Sequence, residues 1–435
     1  MSSPGALSTL LANTSQAFWA GQNRFYIRGV DYQPGGSSNA VDPLADVSTC
    51  TRDIAEFKKL GINTVRVYTV DNTANHDACM AALANAGIYL ALDVNTPNYS
   101  INRGTPGPSY NAVYLQSVFA TMDAFANYSN TLLFFSGNEV VNDNTTTDCA
   151  PYVKAVTRDM KTYRTSRGMR AIPIGYSAAD VSENRYDMAQ YMNCGTADQR
   201  SDFFAFNDYS WCDPNTFQGS GWAAKVQMYS NYSIPLFLSE YGCIQTKRQF
   251  QEVSALYNTE MTSVYSGGLV YEYSEEGSGY GLVTINGNSV TEKSDFSALQ
   301  SALAGTQPPS GDGGYQSNNQ PATCPSTSDT WQVTAFTGDA LPAIPSGAVQ
   351  YMKNGAGKGP GLTGDGSQNA GGASSGTASA GSGSTTAQVT MASSSSTASA
   401  SKGAAAGLTP PQMGYGAFAT VAIMVVSSFV GAALL

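Results

Sequence analysis

Glu139 and Glu240 each close a strongly apolar run, residues 132–135 and 235–238. A carboxylate at the end of a buried strand is costly unless it is paired or used. The two follow similar contexts, Ser136-Gly137-Asn138-Glu139 and Ser239-Glu240-Tyr241-Gly242, and lie 101 residues apart. Two carboxyls held roughly 5–5.5 Å apart are what a retaining displacement at a sugar carbon needs. One protonates the leaving oxygen and the other attacks the anomeric carbon. Asn138 is placed to hydrogen-bond a sugar 2-hydroxyl, a contact that strengthens in the transition state. The competing reading of either glutamate alone is a salt-bridged rim residue; the recurrence at two strand ends disfavours it.

Eight short runs rich in apolar, β-branched or aromatic residues must carry these groups. They span 25–32, 64–70, 89–95, 132–139, 171–178, 203–209, 235–242 and 268–274. Segments of helical period lie between them at 53–60, 77–86, 115–128, 152–167 and 248–265, and a last one follows at 294–303. Gly61, Gly87 and Gly168 mark helix ends. The pattern predicts an α/β fold, a (β/α)8 TIM barrel, with the site at the C-terminal strand ends. A doubly wound open sheet is the alternative, but no GxGxxG follows the first strand. The polar residues at the strand ends are then Asp31, Tyr32 and Gln33; Tyr68 and Asp71; Asp93 and Asn95; Asn138 and Glu139; Asp180 and Arg185; Asn207, Asp208 and Tyr209; Glu240 and Tyr241; Tyr271, Tyr273, Glu275 and Glu276. Asp180 and Arg185 read equally well as a rim ion pair. Strand alternation lets only one of Tyr271 and Tyr273 face inward.

Composition narrows the chemistry. The 435 residues hold 22 Lys and Arg against 32 Asp and Glu, a net charge of −10, so no basic patch is available for nucleic acid. One histidine argues against His-rich metal sites and His-based triads; His76 reads as a capping or surface residue at a helix start. No calcium-loop spacing occurs, and no metal or cofactor is expected. The 25 tyrosines suit sugar binding as well as an ordinary core. Seven cysteines without a CxxC pair read as a disulfide framework plus one odd thiol. Together with sequons at Asn13, Asn98, Asn127, Asn144 and Asn231, they favour a secretory route. Residues 1–20 have no basic n-region and no long apolar core, so they do not read as a signal peptide. Either the start is misassigned and a first exon is missing, or the compartment reading is wrong.

Three segments are expected: a barrel domain over 1–330, a low-complexity stalk over 331–412 and a hydrophobic terminus over 413–435. Within 355–412, 44 of 58 residues are Gly, Ala, Ser or Thr, too little apolar surface to offset ordering entropy. Small residues at 403–406, a spacer and the apolar stretch 417–435 fit a GPI-attachment signal, with a tail anchor as the alternative.

The segments Tyr26-Ile27-Arg28-Gly29-Val30-Asp31-Tyr32-Gln33-Pro34, Arg66-Val67-Tyr68, Ser136-Gly137-Asn138-Glu139 and Leu238-Ser239-Glu240-Tyr241-Gly242-Cys243 resemble the fungal β-1,3-glucanosyltransferases of glycoside hydrolase family 72. So does Tyr271-Glu272-Tyr273-Ser274-Glu275-Glu276, followed by Tyr280-Gly281-Leu282-Val283. The resemblance runs over roughly residues 20–330. It implies that Glu139 is the acid/base and Glu240 the nucleophile. It further implies that Gln33, Tyr68, Asp93, Asn138, Asp180, Arg185, Tyr209, Tyr271 and Tyr280 line a glucan cleft. Its partners would be β-1,3-glucan donor and acceptor chains and a GPI lipid at the cell surface. It pairs Cys50–Cys79, Cys194–Cys324 and Cys212–Cys243 and leaves Cys149 over. With no cysteine beyond Cys324, the Cys-rich carbohydrate-binding module of some relatives is not expected. An endo-β-1,3-glucanase and a non-catalytic glucan-binding wall protein are the alternatives.

Overall fold

Alternate residues of the apolar runs face opposite ways. In the computed structural model Ala91, Leu133, Phe135, Phe203, Ala205, Phe237 and Leu269 form one buried cluster. Their neighbours Leu90, Leu92, Phe134, Phe204, Phe206, Leu236 and Leu238 belong to a second, outer one. That period of two is the mark of strands buried on both faces. The structure describes residues 10–11, 17–36, 40–317, 320–336 and 338–378.

The strands are β1 (Ile27–Asp31), β2 (Thr64–Val67), β3 (Tyr89–Asp93), β4 (Thr131–Asn138), β5 (Ile174–Ala179), β6 (Phe203–Asp208), β7 (Leu236–Tyr241) and β8 (Tyr265–Val270). Each pairs in parallel with the next, and β8 pairs with β1 to close the barrel. At that seam Gly267 has φ +89°, and a Cβ there would stand 2.1 Å from the Ile27 carbonyl oxygen. Only glycine permits so close an approach. A hairpin of Phe18–Ala20 and Asn23–Phe25 precedes β1. Its Phe18 is fully buried against Phe203 and Phe237 and joins the inner cluster.

The outer helices are α1 (Val47–Leu60), α2 (Asp77–Asn85), α3 (Ala112–Phe125), α4 (Ala150–Ser166), α5 (Arg185–Asn193), α6 (Trp222–Tyr229), α7 (Glu252–Leu256) and α8 (Ser294–Gly305). Local chemistry sets their ends. The Asp46 side chain accepts from the Ser48 N–H to start α1, and Gly61 at φ +69° returns its N–H to the carbonyls of Phe57 and Lys58 to stop it. His76 precedes α2 but neither caps it by its side chain nor lies at the surface: it is buried, with Nε2 2.7 Å from Asp42 Oδ2. The helix expected over 248–265 is also corrected. Residues 242–251 run as a loop, with Phe250 at φ +57°, before α7 and a short turn at Thr259–Thr262. β8 consequently begins at Tyr265 rather than residue 268.

Bridges join Cys50–Cys79, Cys194–Cys324 and Cys212–Cys243. Cys149 is free and buried, and burial pushes its thiol up to about 12, which leaves no reactive thiolate near neutrality.

The expected boundary at residue 330 is wrong as a structural limit. Trp331 is buried beside Tyr191, and Leu341, Ala348, Met352 and Ala356 extend the outer cluster. Beyond them the glycine-rich backbone is tied down by hydrogen bonds. Gly361 N–H donates to Asn72 Oδ1, Gly366 N–H to the Tyr99 hydroxyl, and Asn111 Nδ2 to the Ser367 carbonyl. Side-chain composition misses such backbone donors. Residues 379–435, with the rest of the expected stalk and the expected lipid-attachment signal, lie outside the described residues. A chain ending at residue 378 should keep the melting temperature of the full chain. One ending at 330 should melt lower, since it exposes the core face that Leu341 and Met352 cover; equal melting by calorimetry would show that 331–378 adds nothing.

Candidate active site

Strict alternation would not deliver both glutamates to the barrel mouth. With Phe237 inward and Leu238 outward, Ser239 faces in and Glu240 would face out. The ladder corrects this. Leu238 pairs with Phe206, but Glu240 pairs with Asn207, so β7 advances two residues against one on β6. Such a bulge re-aims the side chain beyond it. A similar irregularity lies between Phe135 and Asn138 on β4, against Gly175 and Ser177 of β5. Glu139 then follows with φ +48°, a left-handed conformation unusual for a side-chain-bearing residue. Its N–H donates to the Ser177 carbonyl, and its own carbonyl accepts from Arg103.

Asn207 connects the two bulged strands. Opposite Glu240 in the ladder, it donates from Nδ2 to Glu139 Oε1 at 2.8 Å and accepts at Oδ1 from Ser239 Oγ at 2.9 Å. Asn138 Oδ1 accepts from Ser177 Oγ at 2.7 Å. This hydrogen-bonded floor ties the Glu139 carboxyl to β7 at Ser239, next to Glu240.

Arg66 lies under that floor, fully buried on β2 with its guanidinium between the rings of Tyr68 and Phe135, 4.3 and 4.5 Å from their centres. It grips Asp93 through Nε and Nη2 at 2.8 and 3.2 Å. From Nη1 it donates to the Ser239 carbonyl and Glu240 Oε1, at 3.2 and 3.3 Å. Tyr68 donates to Glu240 Oε1 at 2.7 Å and Tyr209 to Oε2 at 2.6 Å. Glu240 is 7 % exposed. Burial pushes its carboxyl from an ordinary 4.5 up to about 7; Arg66 opposes the rise, nearby Glu139 adds to it, and the two tyrosine hydroxyls oppose it.

Several expected cleft residues make bonds within the protein. Gln33 is buried; its Oε1 accepts from the backbone N–H of Tyr68 and Thr69, so it holds the strand that presents Tyr68. Asp93 is buried and paired with Arg66. Asp180 and Arg185 pair at 2.6 Å, and Lys225 joins Asp180 to Asp208. Tyr209, Tyr271 and Tyr280 form an edge-to-face group, with Tyr280 5.5 Å from Tyr209 and 5.2 Å from Tyr271. Tyr273 is buried the other way, its hydroxyl on Asp53 and its ring among Tyr32 and Phe57. Tyr271 is thus the member of the pair that faces the mouth.

Sequence reasoning gave Arg66 and Glu272 no part in the site, and placed Asp31 and Asn207 at strand ends without a role. A charge between Val65 and Val67 in a strand was the available signal for Arg66. Asp31 is fully buried, neither carboxyl oxygen has a hydrogen-bond partner, and burial pushes its pKa well above the ordinary value. Glu272, buried beside Tyr271 and bonded by Ser278, is pushed up by burial to about 7. Among the described residues no His, Cys, Asp and Glu cluster has the form of a metal site.

A barrel whose mouth carries a buried, arginine-backed carboxyl and a second carboxyl on a facing strand places this chain among the (β/α)8 enzymes of glycosidic bonds. More specifically, it belongs to the glucanosyltransferase family, glycoside hydrolase family 72, whose sequence model matches residues 8–307. It is 64 % identical over 419 residues to the 1,3-β-glucanosyltransferase gel1 of Aspergillus fumigatus, covering 96 % of this chain and 91 % of that one. It is 55 % identical over 338 residues to GAS5 of Saccharomyces cerevisiae, covering 77 % and 69 %. The structure of a mutant Gas2p from S. cerevisiae, in complex with laminaritetraose and laminaripentaose, matches with a TM-score of 0.72 at 36 % identity, over 79 % of this chain and 76 % of that one.

The raised Glu240 carboxyl has a consequence for stability. Folded, it holds its proton more tightly than unfolded, so it removes stability as pH rises from about 4.5 through about 7. Glu240→Gln should therefore stabilise the protein at pH 7.5, on the order of 1–3 kcal/mol. The gain should shrink toward zero near pH 4; melting curves showing no gain at pH 7.5 would contradict this.

Proposed function

We infer that the chain is a retaining β-1,3-glucanosyltransferase in which Glu240 is the nucleophile and Glu139 the acid/base. The observation that supports these roles best is the difference between the two carboxyls. Both oxygens of Glu240 are held, by Arg66 and Tyr68 on one and Tyr209 on the other, which fixes an attacking oxygen in line. Glu139 is half-buried and takes the Asn207 amide on Oε1 alone among its described side-chain bonds, so Oε2 is available to carry a proton.

A β-1,3-glucan donor enters the mouth. Glu240 attacks the anomeric carbon as the bond to the 3-oxygen of the next glucose breaks, and Glu139 gives that oxygen its proton. The departing fragment leaves a neutral glycosyl ester on Glu240. Glu139, now a carboxylate, takes the proton from the 3-hydroxyl of an acceptor chain. That oxygen attacks the same carbon from the opposite face to Glu240, a β-1,3 bond forms, and Glu240 departs as carboxylate. The new reducing end has moved to another chain with net retention.

Water competes for the ester, so transfer requires an acceptor held in orientation, an advantage that can amount to effective molarities far above that of water. With the Tyr68 and Tyr209 hydroxyls engaged on Glu240, the rings of Tyr271 and Tyr280 are the flat faces assigned to acceptor glucose. The endoglucanase alternative uses the same carboxyls but needs no such platform; the non-catalytic alternative needs neither carboxyl. Three disulfides and exposed sequons at Asn98, Asn127 and Asn231 support an oxidising, extracellular setting. Among the described residues no helix is long and apolar enough to cross a membrane. Attachment to the cell surface is assigned to a GPI lipid near residues 403–406, on the sequence pattern there, and phospholipase digestion of expressing cells tests it.

With a reduced laminarin oligosaccharide the enzyme should yield products longer than the starting chain. Glu139→Gln and Glu240→Gln should each lower turnover at least about a hundredfold with the fold intact. Near wild-type turnover in either variant would remove that residue from its role. Shorter products alone, even at high acceptor concentration, would favour the endoglucanase.

A further inference from the structure

Tyr271 and Tyr280 stand nine residues apart in a loop between β8 and the hairpin strand Val283–Asn286, yet their rings keep a fixed edge-to-face relation. Arg248 holds them. Its guanidinium, 3 % exposed, donates from Nη1 to the Tyr271 carbonyl at 3.1 Å and from Nη2 to the Tyr280 carbonyl at 2.6 Å. Nε donates to Asp295 Oδ2, in the first turn of α8, at 2.7 Å, and Phe250 packs under the guanidinium with its ring centre 5.1 Å away. The loop that carries Arg248 is tied to the loop after β6 by the Cys212–Cys243 bridge and by Gln249 N–H donating to Asp213 Oδ2 at 2.6 Å. Tyr209 lies at the start of that β6 loop. The arginine therefore links the loops after β7 and β8, the first of them tied in turn to the loop after β6, and spans the two carbonyls that set where both tyrosine rings stand.

We propose that Arg248 is a positioning residue that fixes the Tyr271–Tyr280 platform and so sets the partition of the glycosyl enzyme between acceptor sugar and water. The proposal rests on the assignment of those rings to the acceptor. Arg248 touches neither Glu139 nor Glu240, whose hydrogen bonds come from Asn207, Arg66, Tyr68 and Tyr209. Loosening the platform should thus impair attack by an acceptor more than attack by water, because only the acceptor depends on ring-held orientation. The planar fork matters: it reaches two carbonyls at once, where a lysine ammonium is a point charge on a flexible stem.

The test compares full-length wild type, Arg248→Met, Arg248→Lys, Asp295→Asn and Tyr280→Ala on a reduced laminarin oligosaccharide, with transfer and hydrolysis products counted separately as acceptor is varied. Arg248→Met should lower the transfer-to-hydrolysis ratio about tenfold and raise the acceptor KM, while total donor cleavage falls less. Arg248→Lys should recover part of the ratio, and Asp295→Asn, which leaves the arginine in place but frees its stem, should lose about two- to threefold. If Arg248→Met does not fold, the lysine and Asp295 variants decide. A wild-type ratio in both folded Arg248 and Asp295 variants, alongside a lowered ratio in Tyr280→Ala, would overturn the proposal alone. A wild-type ratio in Tyr280→Ala would overturn the acceptor assignment beneath it.

Discussion

A carboxylate inside an apolar barrel must have a counter-charge at hand, and here one buried cation provides it. Arg66 is packed between two aromatic rings and shared among Asp93, the Ser239 carbonyl and Glu240. Its planar guanidinium holds Asp93 by two bonds and still extends a third nitrogen to β7, a reach that a lysine could not reproduce. Removing Arg66 would leave Asp93 and Glu240 without their cation in low dielectric, typically a loss of about 3–5 kcal/mol. The placement of Glu240, the tyrosines on its oxygens and the link through Asn207 to Glu139 all presuppose this cation.

The same centre is less stable than an apolar barrel mouth would be. Acidic groups outnumber the single cation: Asp31, Asp93, Glu240 and Glu272 are all buried around it. Burial raises the pKa of Asp31 well above the ordinary carboxylate value. Glu139 is held in a left-handed conformation that costs of order 1–3 kcal/mol. The surrounding shell offsets these costs. Three disulfides tie helix and loop segments around the barrel, and residues 331–378 seal one side of the outer cluster with Trp331, Leu341 and Met352. Stability lies in the periphery, and the functional groups sit where the local rules are broken.

Much of this was legible in the chain. Eight apolar runs gave the barrel because strands buried on both faces cannot hide their hydrophobicity, and two glutamates ending such runs stood out for the same reason. Strand-end polarity picked out Gln33 and Asp93 but could not report the bonds by which they hold the Tyr68 strand and Arg66. The bulges that turn Glu139 and Glu240 to the mouth are pairing irregularities between strands distant in sequence, and no local pattern reports them. Arg248 fell within a segment of helical period, and only its contacts to Tyr271, Tyr280 and Asp295 show why the chain there is a loop. The fold of 331–378 was hidden because glycine-rich composition conceals backbone hydrogen bonds.

If Glu240 is the ionised nucleophile that Arg66 makes possible, a covalent sugar ester on that residue is the direct consequence. A donor with a 2-fluoro substituent and a fluoride leaving group slows release of the ester more than its formation, so the adduct can be isolated. Intact-mass measurement after incubation should show one added glycosyl unit, and peptide sequencing by mass spectrometry should place it on Glu240 within residues 239–242. A label on Glu139, or no stable adduct while the donor is consumed, would contradict the account.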